Sequence, residues 1–425
     1  MFYLCCNSET STMARIFLLL IIGISSYAQA QVLTIEQCYE LAKQNYPLTK
    51  QRELLIQSNE FTISNIAKGN WPQLVLSGQE SYQSEVVKLP LPKSPEIPKN
   101  QFRVYGEASQ PLTDFITTKR QQQVQQASAL YQVQNLEVEL YKLRAQIDQL
   151  YFGVLLINEQ ITQNELYKKD ITNGLARTKA AVANGTDFTT SITKFQADLL
   201  KAEQRDIDLV YSKKSFLDML GLFINQPLNE ETVLQWPVDI QLNDQINRPE
   251  LKLFDFQSQT FDQQTKLLNT KTLPKFSLFL QGGWGQPSPL NLVNATLSGY
   301  YIGGVRLNWS LNNFYTIRNE RRIVDVNKNL VSAQRETFLF NTKQTMAKEN
   351  SEIEKYKKLL EKDLTIVQLL ESVKKTSADQ LQNGVITSID YMRDVNAEDL
   401  AKQNAALHKV QLAMAQYNFK TTTGN

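Results

Sequence analysis

The chain has 425 residues, 42% hydrophobic and 21% charged, enough to bury a large core or several smaller ones. Forty-five basic residues against 43 acidic leave a formal charge of +2, which excludes the global basic footprint of a nucleic-acid binder. One histidine cannot anchor the usual zinc or copper clusters, and no Ser/His/Asp set, Gly-rich phosphate loop or HExxH pattern occurs, so no catalytic, cofactor or metal site and no enzyme activity is expected.

The N-terminus reads as a secretory signal. From Met13, "MARIFLLLIIGISSYAQA" places one basic residue before an apolar run from Ile16 to Ile24 and ends on Ala28-Gln29-Ala30. Residues 1–30 are therefore expected to be a signal peptide, with Met13 as the working start and cleavage before Gln31. The apolar run is short for a bilayer-spanning anchor. Cys5 and Cys6 precede it and fit no lipoprotein cleavage site, which leaves Cys38 as the sole thiol of the mature chain, with no internal disulfide. Cys38 lies in the amphipathic "LTIEQCYELAKQNYPL" and is expected in a core. His408, among Ala405, Leu407 and Val410, reads as an ordinary helix residue.

Proline punctuates the rest. The thirteen prolines leave residues 112–220 and 311–425 empty of them, and aligning those gaps exposes an internal duplication. Pro47 matches Pro249 and Pro72 matches Pro274, each 202 positions on, and the Asn184-Gly185 pair matches Asn383-Gly384, 199 positions on. "ASQPLTDF" matches "NWSLNNFY", and "QADLLKAEQ" matches "NAEDLAKQN". The expected repeats are 31–236 and 237–425, each running helix, strand, loop, strand, long helix, Asn-Gly turn, helix.

In chain order, the first helix is expected over about 34–69 and its counterpart over 247–272. The strands alternate with period two. Phe276, Leu278, Leu280 and Trp284 share one face against Lys275, Ser277 and Gln281; Tyr301, Val305, Leu307 and Trp309 oppose Arg306, Asn308 and Ser310; Phe102, Val104 and Ala108 oppose Arg103, Glu107 and Ser109. Such strands fit a half-buried sheet of a soluble domain or segments of a transmembrane barrel. In a barrel, Trp71, Tyr82, Phe102, Trp284, Tyr300, Tyr301 and Trp309 would form interfacial girdles. Four strands cannot close a barrel, so several chains would have to pool theirs.

The long helices are expected over 114–184 and 314–383, each about 105 Å if continuous at 1.5 Å per residue. Gly153 and Gly174 interrupt the first without having to end it. Ile353, Tyr356, Leu360, Val367 and Leu370 keep coiled-coil-like spacing in the second. The returning helices begin near Thr189 and Thr387. Each Asn-Gly pair then marks a hairpin tip, where the reversal needs a left-handed residue.

"LTIEQCYELAKQNYPL", the strand openings at Pro72 and Pro274, "SQPL" at 109–112 and the Gly-centred tips together resemble the TolC-like outer membrane efflux protein family, from Thr34 to Gly424. The resemblance implies a mainly α fold with a membrane β-barrel part: long α-helical hairpins, plus four strands per chain completing a twelve-stranded barrel in a homotrimer. It implies an outer-membrane exit duct extending into the periplasm, working with a periplasmic adaptor protein and an inner-membrane transporter in efflux or type I secretion. The alternative is a soluble periplasmic coiled-coil adaptor or scaffold. In the family, acidic residues after the second tip glycine close the tunnel. The matching segment here is "GVITSIDYMRD", with Asp390 at the first acidic position, Arg393 at the second and Asp394 beside it. The expected gate therefore comprises Asn184, Gly185, Asn383, Gly384, Asp390, Arg393 and Asp394. The loops at 85–99 and 286–297 would face the cell exterior.

Overall fold

The computed structural model describes residues 32–86, 97–237, 241–291 and 295–425. The expected signal segment and the centres of both strand-joining loops lie outside the described residues. The chain forms two compact units, each drawing segments from both halves of the sequence. One holds residues up to 46 with 143–242 and 349–419; the other holds 47–142, 243–348 and 420–425.

The elements, in chain order, are β1 (Val32–Leu33), α1 (Ile35–Asn45), α2 (Lys50–Ala67), β2 (Gln73–Tyr82), β3 (Asn100–Pro111), α3 (Phe115–Tyr141), α4 (Leu143–Ala183), α5 (Thr189–Ile224), β4 (Val233–Leu234), α6 (Pro249–Leu268), β5 (Lys275–Gln286), β6 (Ser298–Asn308), α7 (Asn313–Gln382) and α8 (Ser388–Thr423). Two expected helices are divided. The span 34–69 breaks at Tyr46, which is extended (φ −63°, ψ 132°) because the ring of Pro47 disfavours a helical predecessor. The span 114–184 breaks at Lys142, between α3 and α4, where no proline or glycine announces it. Gly153 and Gly174 lie inside α4 and leave it intact: an added Cβ at Gly153 would sit 3.1 Å from the Phe216 ring, so this glycine lets two helices approach. The second long helix, α7, is unbroken over its 70 residues.

In the unit built around 47–142 and 243–348, four strands pair antiparallel in the order β2-β3-β5-β6. The central pairing, β3 with β5, joins the two halves of the sequence, with Val104 opposite Trp284 and Ala108 opposite Leu280. Helix α3 packs along both α2 and α6. Pro249 opens α6, where its missing N–H costs nothing.

In the other unit, Thr34 opens α1 through a reciprocal cap: Gln37 N–H donates to Thr34 Oγ1 at 3.2 Å, and Thr34 N–H donates to Gln37 Oε1 at 3.0 Å. Its core gathers Ile35, Cys38, Ile147, Tyr151, Phe152, Val154, Leu217, Leu220 and Ile224, all buried. Cys38 is fully buried, and burial first, with the Glu36 charge second, pushes its thiol up to about 12, so it is inert as expected. The Tyr151 hydroxyl lies 2.8 Å from the Leu33 carbonyl and 2.6 Å from that of Gln235, which ties the parallel β1–β4 pair to α4. His408 pairs its Nδ1 with Asp363 Oδ2 at 2.5 Å; among the described residues no cluster suited to a metal ion occurs.

Candidate functional site

Two places carry the expected functional residues, and each lies within one unit. The first is the sheet. Directly opposed residues of antiparallel strands share a face, so the register sorts every side chain. Leu74, Leu76, Val104, Phe102, Phe276, Leu278, Leu280, Trp284, Tyr301, Val305 and Leu307 fall together with the glycines 78, 106, 282, 299 and 303. This face is exposed and, apart from Glu80 near the loop end of β2, apolar through its middle rows: Leu74 keeps 80% of its surface, Leu76 81% and Tyr301 78%. The opposite face carries Gln73, Ser77, Gln79, Gln101, Arg103, Glu107, Ser109, Gln281 and Arg306. The Arg306 guanidinium crosses strand β5 to grip Glu107 at 2.6 and 3.1 Å and rests over the Phe279 ring, 4.5 Å from its centroid. The polarity is the reverse of a soluble half-buried sheet, where the apolar face is covered and the polar face is wet.

The expected girdle residues sit at the strand ends. Trp71 precedes β2 and Trp309 follows β6 at the helix-proximal end, while Tyr82 closes β2 and Trp284 lies near the end of β5. All four are exposed, as is Tyr301. Tyr300 does not join them: its neighbour Tyr301 takes the apolar face, so the alternation turns Tyr300 to the polar side. There it is buried and accepts a hydrogen bond from Gln281 at 3.2 Å.

The second place is the pair of hairpin tips. Gly185 (φ +74°) and Gly384 (φ +70°) adopt the left-handed conformation that ends a helix. The backbone bonds repeat at both ends: Gly185 and Thr186 donate to Val182 and Ala181 at 3.0 and 2.9 Å, Gly384 and Val385 to Leu381 and Gln380 at 3.1 and 2.8 Å. Asn184 and Asn383 occupy the last turns before them, and Asn383 Nδ2 also donates to the Asp379 carbonyl at 2.9 Å.

Beneath the tips, Ile171 of α4, Phe195 of α5, Leu381 of α7 and Tyr391, Met392 and Val395 of α8 form one buried cluster. Polar contacts close it from the outside. Asp187 accepts from Phe188 N–H at 2.6 Å, from Ser191 Oγ at 2.8 Å, and from the Ser388 hydroxyl of the other tip. Thr178 Oγ1 lies 2.9 Å from Ser388 Oγ. Lys374 bridges Asp170 at 2.9 Å and Glu398 at 2.6 Å, and Lys402 bridges Glu371 at 2.9 Å and Glu398 at 2.8 Å, which knits α4, α7 and α8 together.

The three expected gate charges divide. Asp390 and Thr387 form a reciprocal cap for α8: Thr387 Oγ1 donates to Asp390 Oδ2 at 2.7 Å, and Asp390 N–H donates to Thr387 Oγ1 at 3.2 Å. The Thr387 hydrogen bond is the main cause holding the Asp390 carboxyl below its ordinary range; the Arg393 charge contributes least. Arg393 is 73% exposed and sits 3.5 Å from Asp390 and 3.8 Å from Asp394. Asp394 turns inward and accepts from Ser377 of α7. Sequence reasoning missed Asp187, Ser388, Lys374 and Glu398. The last three are polar positions within helical runs, and their partners lie about two hundred residues away or on a neighbouring helix.

Burial raises the Asp187 carboxyl, but the hydrogen bonds from Ser388, Ser191 and the Phe188 backbone outweigh it and hold the group below its ordinary range. A depressed carboxylate contributes stability above its unfolded pKa and loses it as pH falls through the folded one. Asp187→Asn should therefore loosen the tip by about 1 kcal/mol at neutral pH. The gap to the native protein should begin to close below about pH 4, where an unfolded aspartate protonates, and should vanish only once the pH has fallen through the lower folded value. Hydrogen exchange of the tip amides measures it.

No known family's sequence model matches the chain, and no curated protein sequence does. Solved structures do match: the fold is that of the TolC-like outer-membrane channels. The outer-membrane channel OprN has a TM-score of 0.68 at 12% identity, over 92% of this chain and 89% of that one. The outer membrane protein VceC of Vibrio cholerae has 0.66 at 13%, over 92% and 96%. The CmeC outer membrane channel of Campylobacter jejuni has 0.65 at 13%, over 92% and 85%. At such identity the likeness is one of backbone.

Proposed function

We propose that the protein is the outer-membrane exit duct of a tripartite efflux or type I secretion system. Three copies pool four strands each into a twelve-stranded barrel, and their helical hairpins form a tunnel into the periplasm. The tips engage a periplasmic adaptor protein, which couples them to an inner-membrane transporter. The protein is a conduit, and solutes leave through it unchanged. The two-fold repeat, 31–236 and 237–425, is part of this proposal: each half runs helix, antiparallel strand pair, long helix, Asn-Gly turn, returning helix.

The observation that carries the proposal is the sheet. Its exposed face is apolar, its less exposed face is polar, and β2 and β6 each offer an unpaired edge that further strands would satisfy. A soluble periplasmic coiled-coil scaffold would cover Leu74 and Leu76 with its own helices, and they are bare. Apolar side chains exposed on the helices, among them Phe61, Ile323, Leu330 and Phe340, supply surface for neighbouring copies.

Membrane fractionation, followed by mass measurement in detergent, should place the protein in the outer membrane at three times the chain mass. A soluble periplasmic monomer would overturn the proposal.

The gate is proposed at Asp390, Arg393 and Asp394, on the helical turns after the Asn383-Gly384 tip, where three copies would ring a narrow mouth. A single exposed pair contributes little, but three in symmetry would bias a two-state tip. Arg393→Asp should crowd like charges and raise single-channel conductance in planar bilayers. Asp390→Ala should lower block by divalent cations; it keeps the backbone N–H that Thr387 caps but loses the carboxylate that the Thr387 hydroxyl donates to, so the Arg393 variant reads the charge alone. Unchanged conductance in Arg393→Asp would move the gate elsewhere.

A further inference from the structure

We infer that the polar face of the sheet carries an uncompensated positive charge at Arg103, and that this residue makes the duct prefer anionic over cationic solutes. The inference takes the sheet as the wall segment of the duct proposed above, with its polar face toward the passage.

The register limits the charges available there. Among the described residues of β2, β3, β5 and β6, the polar face holds Arg103, Glu107, Lys275 and Arg306. Two of the three cations are answered. Lys275 lies 3.2 Å from Asp114, and Arg306 is held by both oxygens of Glu107. Arg103 meets neutral groups: its Nη2 donates to Gln79 Oε1 at 3.3 Å, and its guanidinium lies 5.6 Å from the centroid of the Tyr105 ring. The amide and the ring fix the head without cancelling it. Gln79, Ser81, Gln83, Gln101 and Arg103 line a pocket of about 350 Å³ at this end of the sheet. Amides and hydroxyls solvate ions of either sign, so among the described strand residues of this wall the guanidinium sets the preference.

Three copies would place three such guanidinium groups in one ring near the loop end of the barrel. The wall behind them faces lipid, and a low-dielectric wall focuses the field into the lumen. An arginine stays protonated across the accessible pH range, so the preference does not titrate. It does screen: the Debye length is about 10 Å at 0.1 M salt and about 3 Å at 1 M. The favoured class is small organic anions bearing carboxylate, phosphate or sulfate groups, which match the planar guanidinium fork.

The test is the zero-current potential of the full-length protein in planar bilayers under a dilute KCl gradient. The wild type should pass chloride over potassium, less markedly as salt rises. Arg103→Glu should lower the chloride-to-potassium permeability ratio about threefold or more, with Arg103→Gln intermediate. Glu107→Gln should raise the ratio, because Arg306 then loses its counter-charge. Should Arg103→Glu fail to assemble, Arg103→Gln reads the same loss without introducing a repulsive charge. Cation preference in the wild type, or an unchanged ratio in a conducting Arg103 variant, would overturn the inference and leave the duct standing. A wild type that forms no channel would overturn the duct itself, and this inference with it.

Discussion

Leu280→Arg should remove the assembled protein from the outer membrane, while Gln281→Arg, one residue along the same strand, should leave it there. Leu280 lies on central strand β5, between Ala108 and Gly303 on its neighbours, and 58% of its surface is exposed. An arginine facing lipid near the midplane of a barrel costs about 2–4 kcal/mol. Three copies would bear it together, a load of about 6–12 kcal/mol on an assembly whose folding margin is typically about 5–15 kcal/mol. Gln281 projects to the polar face, where a further charge meets water. In a water-soluble sheet the ranking would not appear, because arginine for an already exposed leucine is usually neutral within about 0.5 kcal/mol. Fractionation and detergent-extracted yield of the two variants decide between these cases, and equal yields would sink the barrel.

Gly174→Val should loosen the hairpin tips while leaving the sheet unit intact. A Cβ at Gly174 would sit 2.4 Å from Phe195 Cε1 and 3.1 Å from Tyr391 Cε1, inside the buried cluster that holds α4, α5, α7 and α8 together. Valine adds two methyl groups beyond that Cβ, so the Phe195 ring has to leave its place. Overpacking of this kind costs about 1–3 kcal/mol. A local loss of 1–2 kcal/mol multiplies the open population about 5–30-fold. Limited proteolysis at the Asn184-Gly185 and Asn383-Gly384 turns should accelerate by that factor. Unchanged nicking would mean that the tips are held elsewhere, by Asp187 and Ser388 for example.

Much of this architecture is legible in the residues because it depends on local rules. Alternation with period two separated Phe276, Leu278 and Leu280 from Ser277 and Gln281, and the strand register keeps them apart. The same rule would have moved Tyr300 away from the girdle, since it adjoins Tyr301. Asn-Gly pairs marked both left-handed turns, because few other residues reach positive φ cheaply. The break at Lys142 carries no such mark; it arises in a stretch of ordinary helix formers. The charge network of Lys374, Asp170 and Glu398 was equally hidden, because each residue alone reads as a solvated helix position. Asp390 also has a local role: an acidic residue three places after Thr387 is a capping pattern, and the structure pairs the two side chains at the start of α8.

The pairing of β3 with β5 sets a timetable for a chain that emerges from its N-terminus. Once the first half is out, β2 and β3 can form a hairpin, but the free side of β3 must wait: Phe102 for Gln286 and Pro111 for Ser277. Until then, one hairpin face of bare leucines and one strand edge of unspent amides are presented together, the combination that templates intermolecular pairing. Closing so long a loop is slow because its entropy must be overcome before any contact rewards it. Misassembly would therefore begin in the interval between the two hairpins, well before any membrane is reached.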